Sequence, residues 1–577
     1  MGRRNEKFEP RRRLTTAAAA FVAAIPTTER VLVAAILVLA FALLLTTYDF
    51  FAVPPPDFFS FHAVAASLGR LELPGSFKRA PAYPAAIALG RLVAPGPDPF
   101  LTAASVINIF AALGVLALTY YWTRPMLGRW APLAVALVAT SSQFALLAAM
   151  PLCEMLYLLL ILAAVVTAGR ANGWTYLWAG AAAATRYEAL AIIPLVGLCD
   201  AANWRRRPRL IIYALLAVVP AAGWVLAGYL LTGSLNPYVE EIRALGASGW
   251  AFPRVLAASF YDPARPASWA ITAVFAAVAA IGCVKLAVRG GAGERAYIGF
   301  AVIYTTVHVV FPFSFRRFVF PVWPLMVLAL LEGGKVLYSW GGKLRSGRWW
   351  YATAAVLCGV FAVGLAWRAG TWRGGSTETL LFAGLVPLAA LAACVVWGIA
   401  GARLEPRRWA LGAVALVAVA LFADGNFRAY LPEREAIKHD RASLKKAASW
   451  LARAAGRDEV VITAYPYLFG YYFGAAGPAA RLPASFRTAD FALFTARARR
   501  AGATYVCYDS ISARDLGGYF VEGTGAQLLQ PLSAGRDVGP YRFIGQTEAP
   551  GEYVYIYRLA EEPPGWKPPG WENEREE

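Results

Sequence analysis

Long apolar runs alternate with short polar segments over the first three quarters of the chain. A run of about 18 or more apolar residues is long enough to cross a bilayer as a helix, so this pattern predicts many membrane-spanning helices. The clearest runs cover residues 31–48, 100–122, 130–149, 152–169, 210–231, 266–288, 296–312, 317–332, 350–368, 379–400 and 409–424. We therefore predict an α-helical polytopic membrane domain over residues 31–424.

One apolar stretch, residues 174–203, is interrupted at its centre by Arg186, Tyr187 and Glu188. It is too long for one helix and short for two complete spans. Charged groups are costly inside a bilayer, so we interpret the stretch as a hairpin of two short spans whose turn lies near the outer surface.

After residue 424 the composition changes. EREAIKHDRASLKKAASWLARAAG is typical of an amphipathic helix, and EVVITA, TYVCYD, YRFIGQ and EYVYIYRL are typical of short strands. We predict a small α/β domain over residues 425–560, followed by a Pro-rich, charged tail at 561–577 that is predicted to be disordered.

The charge distribution predicts an orientation. The formal net charge is +19, and the Lys and Arg residues cluster in short loops between apolar runs. Basic loops stay on the cytoplasmic side, so the charge indicates topology rather than a nucleic-acid partner. This rule keeps the basic N-terminal residues 1–30 in the cytoplasm, gives about thirteen crossings and places the α/β domain outside the plasma membrane. The predicted outer segments are 49–99, 232–265, 313–316, 369–378 and everything after residue 425.

Metal-ligand patterns are sparse. The chain has 6 Cys and 3 His, with no CxxC pair and no HExxH motif. A tightly bound catalytic metal is therefore not predicted, and a loosely bound divalent ion stays open.

The first outer loop carries candidate chemistry in PPPDFFSFHAVAASLGRLELPGSFKRAPAYP, residues 54–84. Asp57 follows three prolines and is placed either to cap a helix or to act as a general base at the membrane surface. Asp49 is an alternative base. His62 lies on the same predicted helix, where it can orient an acceptor or contact lipid headgroups.

Lys78 and Arg79 are adjacent cations on the predicted outer side, where basic residues are disfavoured. They can neutralise the leaving group of a polyprenyl-phosphate donor. The alternative is that they bind anionic lipid headgroups.

Further charges lie at the predicted outer ends of apolar runs: Glu154 in MPLCEML, Arg186 and Glu188 in ATRYEAL, and Arg316 and Arg317 in SFRRFVF. Charges embedded in apolar runs are costly and are functional candidates by default. The alternative for each is a structural ion pair or a snorkelling anchor.

This ordered series resembles the polytopic glycosyltransferases of the GT-C fold class, in particular bacterial relatives of the protein O-mannosyltransferases and of the lipid A aminoarabinose transferase. Asp57 matches the acidic residue of the family's first outer loop, although Phe58 follows it where the family commonly has a second acid. Lys78 and Arg79 match the basic residue that precedes a PxxYP-like segment, here APAYP, which contains Tyr83.

Later positions continue the resemblance. Glu154 matches the family's second outer acid, Arg186 its hairpin cation, and Arg316 or Arg317 its outer arginine before a PxxP segment. The resemblance implies a GT-C-like fold with catalytic Asp57 and Glu154. The residues that it implies for substrate binding are Lys78, Arg79, Arg186, Arg316, Arg317, His62 and Tyr83.

We expect an inverting glycosyltransferase that moves a sugar from a polyprenyl-phosphate donor to a lipid, glycan or protein acceptor on the extracytoplasmic face. Its other partners would be membrane lipids, and no nucleic acid is expected. One rival is a transporter or flippase of lipid-linked saccharides, although such proteins often carry internal repeats and midplane helix breaks. A second rival is a scaffold for envelope assembly, which would not need Asp57 and the paired cations.

Overall fold

The structure is a computed structural model. It describes residues 26–46, 53–96, 98–233, 251–259, 266–310, 316–341, 441–474, 477–481, 491–510 and 530–561. The predicted spans at 350–368, 379–400 and 409–424, the predicted tail and Asp49 lie outside the described residues.

The described part of residues 26–341 is built of helices that follow the apolar runs closely. They are α1 (Thr27–Thr46), α2 (Pro56–Gly69), α3 (Ala82–Gly90), α4 (Pro99–Leu127), α5 (Ala131–Ala139), α6 (Ser142–Ala149), α7 (Glu154–Thr167), α8 (Gly173–Thr185), α9 (Ile192–Trp204), α10 (Arg209–Thr232), α11 (Ala251–Ala258), α12 (Pro266–Arg289), α13 (Ala292–Val310) and α14 (Trp323–Gly341). Short 3₁₀ helices cover Gly128–Trp130, Tyr187–Ala191 and Arg316–Val322.

Among the described residues, five helices are long and apolar enough to cross a membrane, or six if one bent pair is a single span. That pair joins Gln143–Ala149 to Glu154–Thr167 at 114°. The run at 130–149, which the hydropathy pattern presents as one span, is divided between α5 and α6. Ser141 marks the division, because its hydroxyl accepts a hydrogen bond from Phe144 N at 3.1 Å and so begins a new helix.

The predicted interruption is present, whereas the assignment of the two helices as short spans with an outer turn stays a prediction. Helices α8 and α9 are joined by Arg186 and the 3₁₀ helix Tyr187–Ala191, at the charged interruption. The exact number of crossings is not fixed by the described residues, so thirteen stays a prediction.

Small residues allow helices to approach closely. A Cβ added at Gly282 would lie 1.8 Å from the Ala329 carbonyl oxygen, and one added at Gly333 would lie 1.9 Å from that of Val278. Glycines at these positions therefore let α12 and α14 pack backbone to backbone, as is common between membrane helices.

The C-terminal region contains α15 (Ala442–Ala454), β1 (Val460–Ile462), α16 (Pro466–Phe473), β2 (Ala479–Arg481), α17 (Phe491–Arg500), β3 (Ala503–Asp509), β4 (Tyr541–Ala549) and β5 (Glu552–Leu559). The sheet order is β2-β1-β3-β5-β4. Strand β1 pairs in parallel with β2 and β3, whereas β5 pairs antiparallel with β3 and β4. The four predicted strands are present, and the predicted amphipathic helix is present over Ala442–Ala454, whereas its residues 433–440 lie outside the described residues. The short strand β2 was not predicted.

One apolar cluster crosses from the helical region into the C-terminal region. Phe58 and Phe59 of α2 belong to the same buried cluster as Leu444 of α15 and Phe469 of α16. The C-terminal region therefore packs directly on α2, the helix that carries Asp57.

Candidate active site

Asp57 lies in the first turn of α2. Pro55 occupies the N-cap position and Pro56 begins the helix, a position that suits a residue without a backbone N–H. No side-chain capping hydrogen bond is made by the N-cap residue. Asp57 is therefore not the N-cap residue, and both oxygens of its carboxylate pair with guanidinium groups.

Two arginines hold opposite oxygens of this carboxylate. Arg79 Nη2 pairs with Asp57 Oδ1, and Arg317 Nη2 lies 2.7 Å from Asp57 Oδ2. The side chains are 14%, 24% and 28% exposed for Arg79, Arg317 and Asp57 respectively, so the cluster is sheltered yet reachable from outside. Three predicted site residues, far apart in sequence, thus meet at one point.

Arg79 is fixed by several further contacts. Its Nε donates to Ser60 Oγ at 2.6 Å, and its guanidinium lies 4.8 Å from the centre of the Phe61 ring. Its backbone carbonyl accepts a hydrogen bond from Trp224 Nε1 at 2.9 Å. The loop that carries Arg79 is therefore held between α2 and α10.

The two guanidiniums determine the charge of Asp57. Burial alone would raise the pKa of its carboxyl, but the charges and hydrogen bonds of Arg79 and Arg317 outweigh burial and hold that pKa well below its ordinary value. Asp57 is consequently ionised at neutral pH.

A second charged cluster lies on α7 and the hairpin. Arg186 Nη1 lies 3.2 Å from Glu154 Oε1, and Arg186 Nη2 lies 2.8 Å from Glu188 Oε1. Arg186 follows the last residue of α8 in extended backbone conformation, which turns its side chain between the two carboxylates. Glu154 and Arg186 therefore form an ion pair, as the structural alternative predicts. Their functional roles stay predictions.

Phe318 joins the two clusters. Its ring centre lies 5.3 Å from the guanidinium carbon of Arg186 and 5.2 Å from that of Arg317. The negative face of an aromatic ring attracts cations, so one buried ring helps to hold two arginines close together.

Three buried polar atoms of this region have no hydrogen-bond partner among the residues that the structure describes: Glu154 Oε2, Tyr157 Oη and Tyr304 Oη. Tyr157 lies one turn from Glu154 on α7, and its ring lies 5.6 Å from the Arg186 guanidinium. A buried polar group without a partner costs about 1–3 kcal/mol. Such groups beside a charged cluster indicate a place where a polar ligand completes the hydrogen bonding.

His62 and His308, the two histidines that the structure describes, lie in aromatic surroundings. His62 packs edge-on against Phe100 and Tyr471, each with ring centres 4.8 Å apart, and burial lowers its pKa to about 4. It is therefore neutral at neutral pH, and its predicted contact with substrate stays a prediction. His308 is buried, and its Nδ1 lies 2.9 Å from the carbonyl oxygen of Tyr304.

The other predicted site residues are Lys78, Tyr83 and Arg316. Lys78 precedes Arg79 and is half-buried. Tyr83 is completely buried, with its hydroxyl 3.3 Å from Asn108 Oδ1 and its ring edge-on to Phe61 at 5.2 Å, so it packs beneath α2. Arg316 begins a 3₁₀ helix, but its side chain lies outside the described residues.

In the part of the chain that the structure describes, no group of three or more His, Cys, Asp or Glu side chains could hold a metal ion. The question of a loosely bound divalent ion stays open.

Tyr157 and Tyr304 are candidate site residues that the sequence analysis did not single out. The only available signal was the spacing of Tyr157 from Glu154, which places the two on neighbouring turns of one helix.

No protein-family model and no curated protein matches the chain. Solved structures do match over most of its length, and they are GT-C membrane transferases. The chain therefore has a GT-C membrane fold with a small C-terminal sheet, as predicted.

Two of the matching structures are of ArnT from Cupriavidus metallidurans. The structure bound to undecaprenyl phosphate has a TM-score of 0.54 and 14% identity, covering 91% of this chain and 97% of ArnT. The structure in the apo state has a TM-score of 0.53 and 14% identity, covering 94% and 98%. A third match is the archaeal oligosaccharyltransferase AglB from Archaeoglobus fulgidus, in complex with an inhibitory peptide and a dolichol-phosphate. It has a TM-score of 0.50 and 11% identity, covering 92% of this chain and 74% of AglB.

Proposed function

We propose that this protein is an inverting glycosyltransferase that moves a sugar from a polyprenyl-phosphate donor to a nucleophilic group of a lipid, glycan or protein acceptor. The observation that carries the proposal is the clamping of the Asp57 carboxylate between Arg79 and Arg317. One carboxylate to accept a proton and two cations to stabilise a leaving phosphate are the groups that such a displacement needs.

In the proposed step, an acceptor oxygen attacks the anomeric carbon of the sugar. The bond from that carbon to the phosphate oxygen breaks, and the phosphate keeps the electron pair. The proton of the acceptor passes to the Asp57 carboxylate. Because a single displacement with no covalent enzyme intermediate is involved, the configuration at the anomeric carbon is inverted.

The low pKa of Asp57 in the free protein makes it a weak base. A donor phosphate beside the cluster would compete with Asp57 for Arg79 and Arg317, since phosphate also accepts bidentate hydrogen bonds from guanidinium. Sharing the two cations with phosphate would raise the pKa of Asp57 and make it a better proton acceptor. Donor binding would in this way activate the base.

The sugar would lie against the second cluster. Tyr157 Oη, Tyr304 Oη and Glu154 Oε2, which have no partner among the described residues, are buried hydrogen-bonding groups that the hydroxyls of a sugar can satisfy. We assign Glu154 and Arg186 to sugar binding and orientation, with catalytic participation of Glu154 as the remaining prediction from sequence. Lys78 and Arg316 would add positive charge near the phosphate.

Two further considerations support a lipid-linked donor. ArnT has been observed with undecaprenyl phosphate and AglB with a dolichol-phosphate and a peptide, and both share this fold. The basic loops predict that the site faces outward at the plasma membrane, with residues 425–560 as an extracytoplasmic domain. Nucleotide sugars are not expected on that side, whereas a prenyl chain can reach an interfacial site within the bilayer.

The phosphate assignment is tested by replacing each clamping arginine. Arg79→Gln and Arg317→Gln each remove a charge-assisted hydrogen bond worth about 1.5–3 kcal/mol, so donor affinity or turnover should fall by about 10- to 100-fold. Arg79→Lys should recover only part of the loss, because lysine lacks the bidentate fork.

The matched control for these variants is Arg70→Gln, since Arg70 forms an exposed ion pair with Glu72 at 2.7 Å in the same loop region. Steady-state kinetics in detergent, with anionic lipid removed, give the measurement. Activity of the Arg79 and Arg317 variants equal to that of the parent and of Arg70→Gln would exclude the phosphate assignment.

A further inference from the structure

The C-terminal region contacts the helix that carries the proposed base. Tyr471 of α16 lies edge-on to three rings of α2: the ring centres are 6.0 Å from Phe58, 5.1 Å from Phe59 and 4.8 Å from His62. Tyr472 adds a contact with Phe59 at 6.2 Å. Phe58 and Phe59 are almost completely buried, at 0% and 1% exposure.

These contacts occupy one side of α2, while the charged cluster occupies another. Asp57, Ser60 and Phe61 are spaced to share a helical face, and each contacts Arg79. Phe58 and His62 are one turn apart on the neighbouring face, and both contact Tyr471. The helix is thus held from the charged side by Arg79 and from the other side by the C-terminal region.

We propose that Tyr471 is a positioning residue for the transfer reaction. By packing on Phe58, Phe59 and His62, it fixes the rotation of α2 and so the placement of Asp57 between Arg79 and Arg317. The inference rests on the proposed function and extends it, because it assigns to the C-terminal region a role in holding the catalytic base. Tyr471 does not touch the reacting atoms in this assignment.

Tyr471→Leu tests the proposal kinetically, because leucine keeps an apolar side chain but removes the ring. We expect kcat to fall by about 10- to 100-fold with little change in donor KM, since a small misplacement of a catalytic group has an effect of this size. Tyr471→Phe keeps the ring and should retain parental kcat. The matched control is Tyr467→Leu, since Tyr467 is on the same helix but is 49% exposed.

Hydrogen exchange of the α2 amides gives a second reading that does not depend on activity. Exchange over residues 56–69 should be faster in Tyr471→Leu than in the parent, Tyr471→Phe or Tyr467→Leu. If Tyr471→Leu fails to fold, Tyr471→Met, with a longer flexible side chain, replaces it in both measurements.

The two proposals can fail separately. If the parent transfers sugar and Tyr471→Leu shows the same kcat and the same α2 exchange as the parent, the positioning role alone is overturned. An equal fall of kcat in Tyr467→Leu, or a lower kcat in Tyr471→Phe, would also overturn it. Absence of transfer in the parent would overturn the proposed function, and the exchange data would still show whether Tyr471 holds α2.

Discussion

Asp57→Asn is the substitution that separates a catalytic carboxylate from a structural one. Asparagine has almost the same shape, so α2 can form as before, but Arg79 and Arg317 lose the negative charge between them. The side chains of Arg79, Arg317 and Asp57 are 14–28% exposed, so solvent screens part of the ion-pair energy that the variant loses. We expect the free energy of unfolding to fall by about 1–3 kcal/mol, and the protein to stay folded. Turnover should fall by about 100-fold or more, the usual contribution of a general base.

Donor affinity should respond differently. With no competing carboxylate, Arg79 and Arg317 are available to phosphate, so binding of undecaprenyl phosphate should be retained or tightened in Asp57→Asn. The variant should therefore lower kcat without raising the donor KM. The assay is steady-state transfer together with direct binding of undecaprenyl phosphate, and the control is Glu72→Gln, which removes a carboxylate that is 57% exposed.

The pH dependence of kcat and kcat/KM in the parent tests the same assignment of Asp57. In the free protein the pKa of Asp57 is held low, so the acid limb of kcat/KM due to Asp57 should lie below pH 3.8, the ordinary value for aspartate. Once phosphate shares the arginines, the acid limb of kcat should move to higher pH than that of kcat/KM. Turnover of Asp57→Asn within a few-fold of the parent, or coincident acid limbs, would refute the reasoning.

Three other predictions concern the surroundings of the site and the topology. Tyr157→Phe should lower transfer but leave thermal stability unchanged or raised, because the buried Tyr157 hydroxyl has no partner in the described part of the chain. Tyr176→Phe, which removes a hydroxyl 3.3 Å from Asp200 Oδ2, should lower thermal stability and leave transfer unchanged. Parental transfer in Tyr157→Phe would contradict the sugar contact. Burial lowers the pKa of His62 from 6.5 to about 4 in the folded protein, so the stability that its neutral ring contributes is complete above pH 6.5 and is lost as the pH falls toward 4. His62→Phe should therefore reduce the loss of thermal stability at acid pH. An unchanged pH dependence of thermal inactivation in His62→Phe would argue against a buried neutral ring. A reporter inserted near Gly341 should be cytoplasmic and one fused after Glu435 extracytoplasmic, and the opposite result at either site would break the thirteen-crossing prediction.

Much of the fold follows from sequence because the bilayer imposes a simple length requirement on apolar helices. The charged interruption at Arg186 correctly predicted the break between α8 and α9, and the strand patterns correctly predicted β1, β3, β4 and β5. The break at Ser141 was not predicted, since hydropathy reports how apolar a run is and carries little information on where it bends.

The sequence predicted which residues form the site but not which of them contact one another. The first outer loop identified Asp57 and Arg79, and charge at the end of an apolar run identified Arg317, but only the packing of three separate elements shows that both arginines hold the same carboxylate. Tyr304 and Tyr471 carry no such signal, because a tyrosine in an apolar segment is typical of ordinary core packing. Their importance depends on which polar atoms and which rings lie beside them in three dimensions.

The measurement that tests the central claim most directly is transfer by the purified full-length protein in liposomes. The donors are radiolabelled sugars on undecaprenyl phosphate, and the acceptor is an extract of envelope lipids, glycans and proteins. We predict that the parent releases undecaprenyl phosphate and passes label to an acceptor, and that Asp57→Asn loses this activity while still binding undecaprenyl phosphate. Movement of intact donor across the bilayer without release of undecaprenyl phosphate, or no reaction with any donor, would contradict the account.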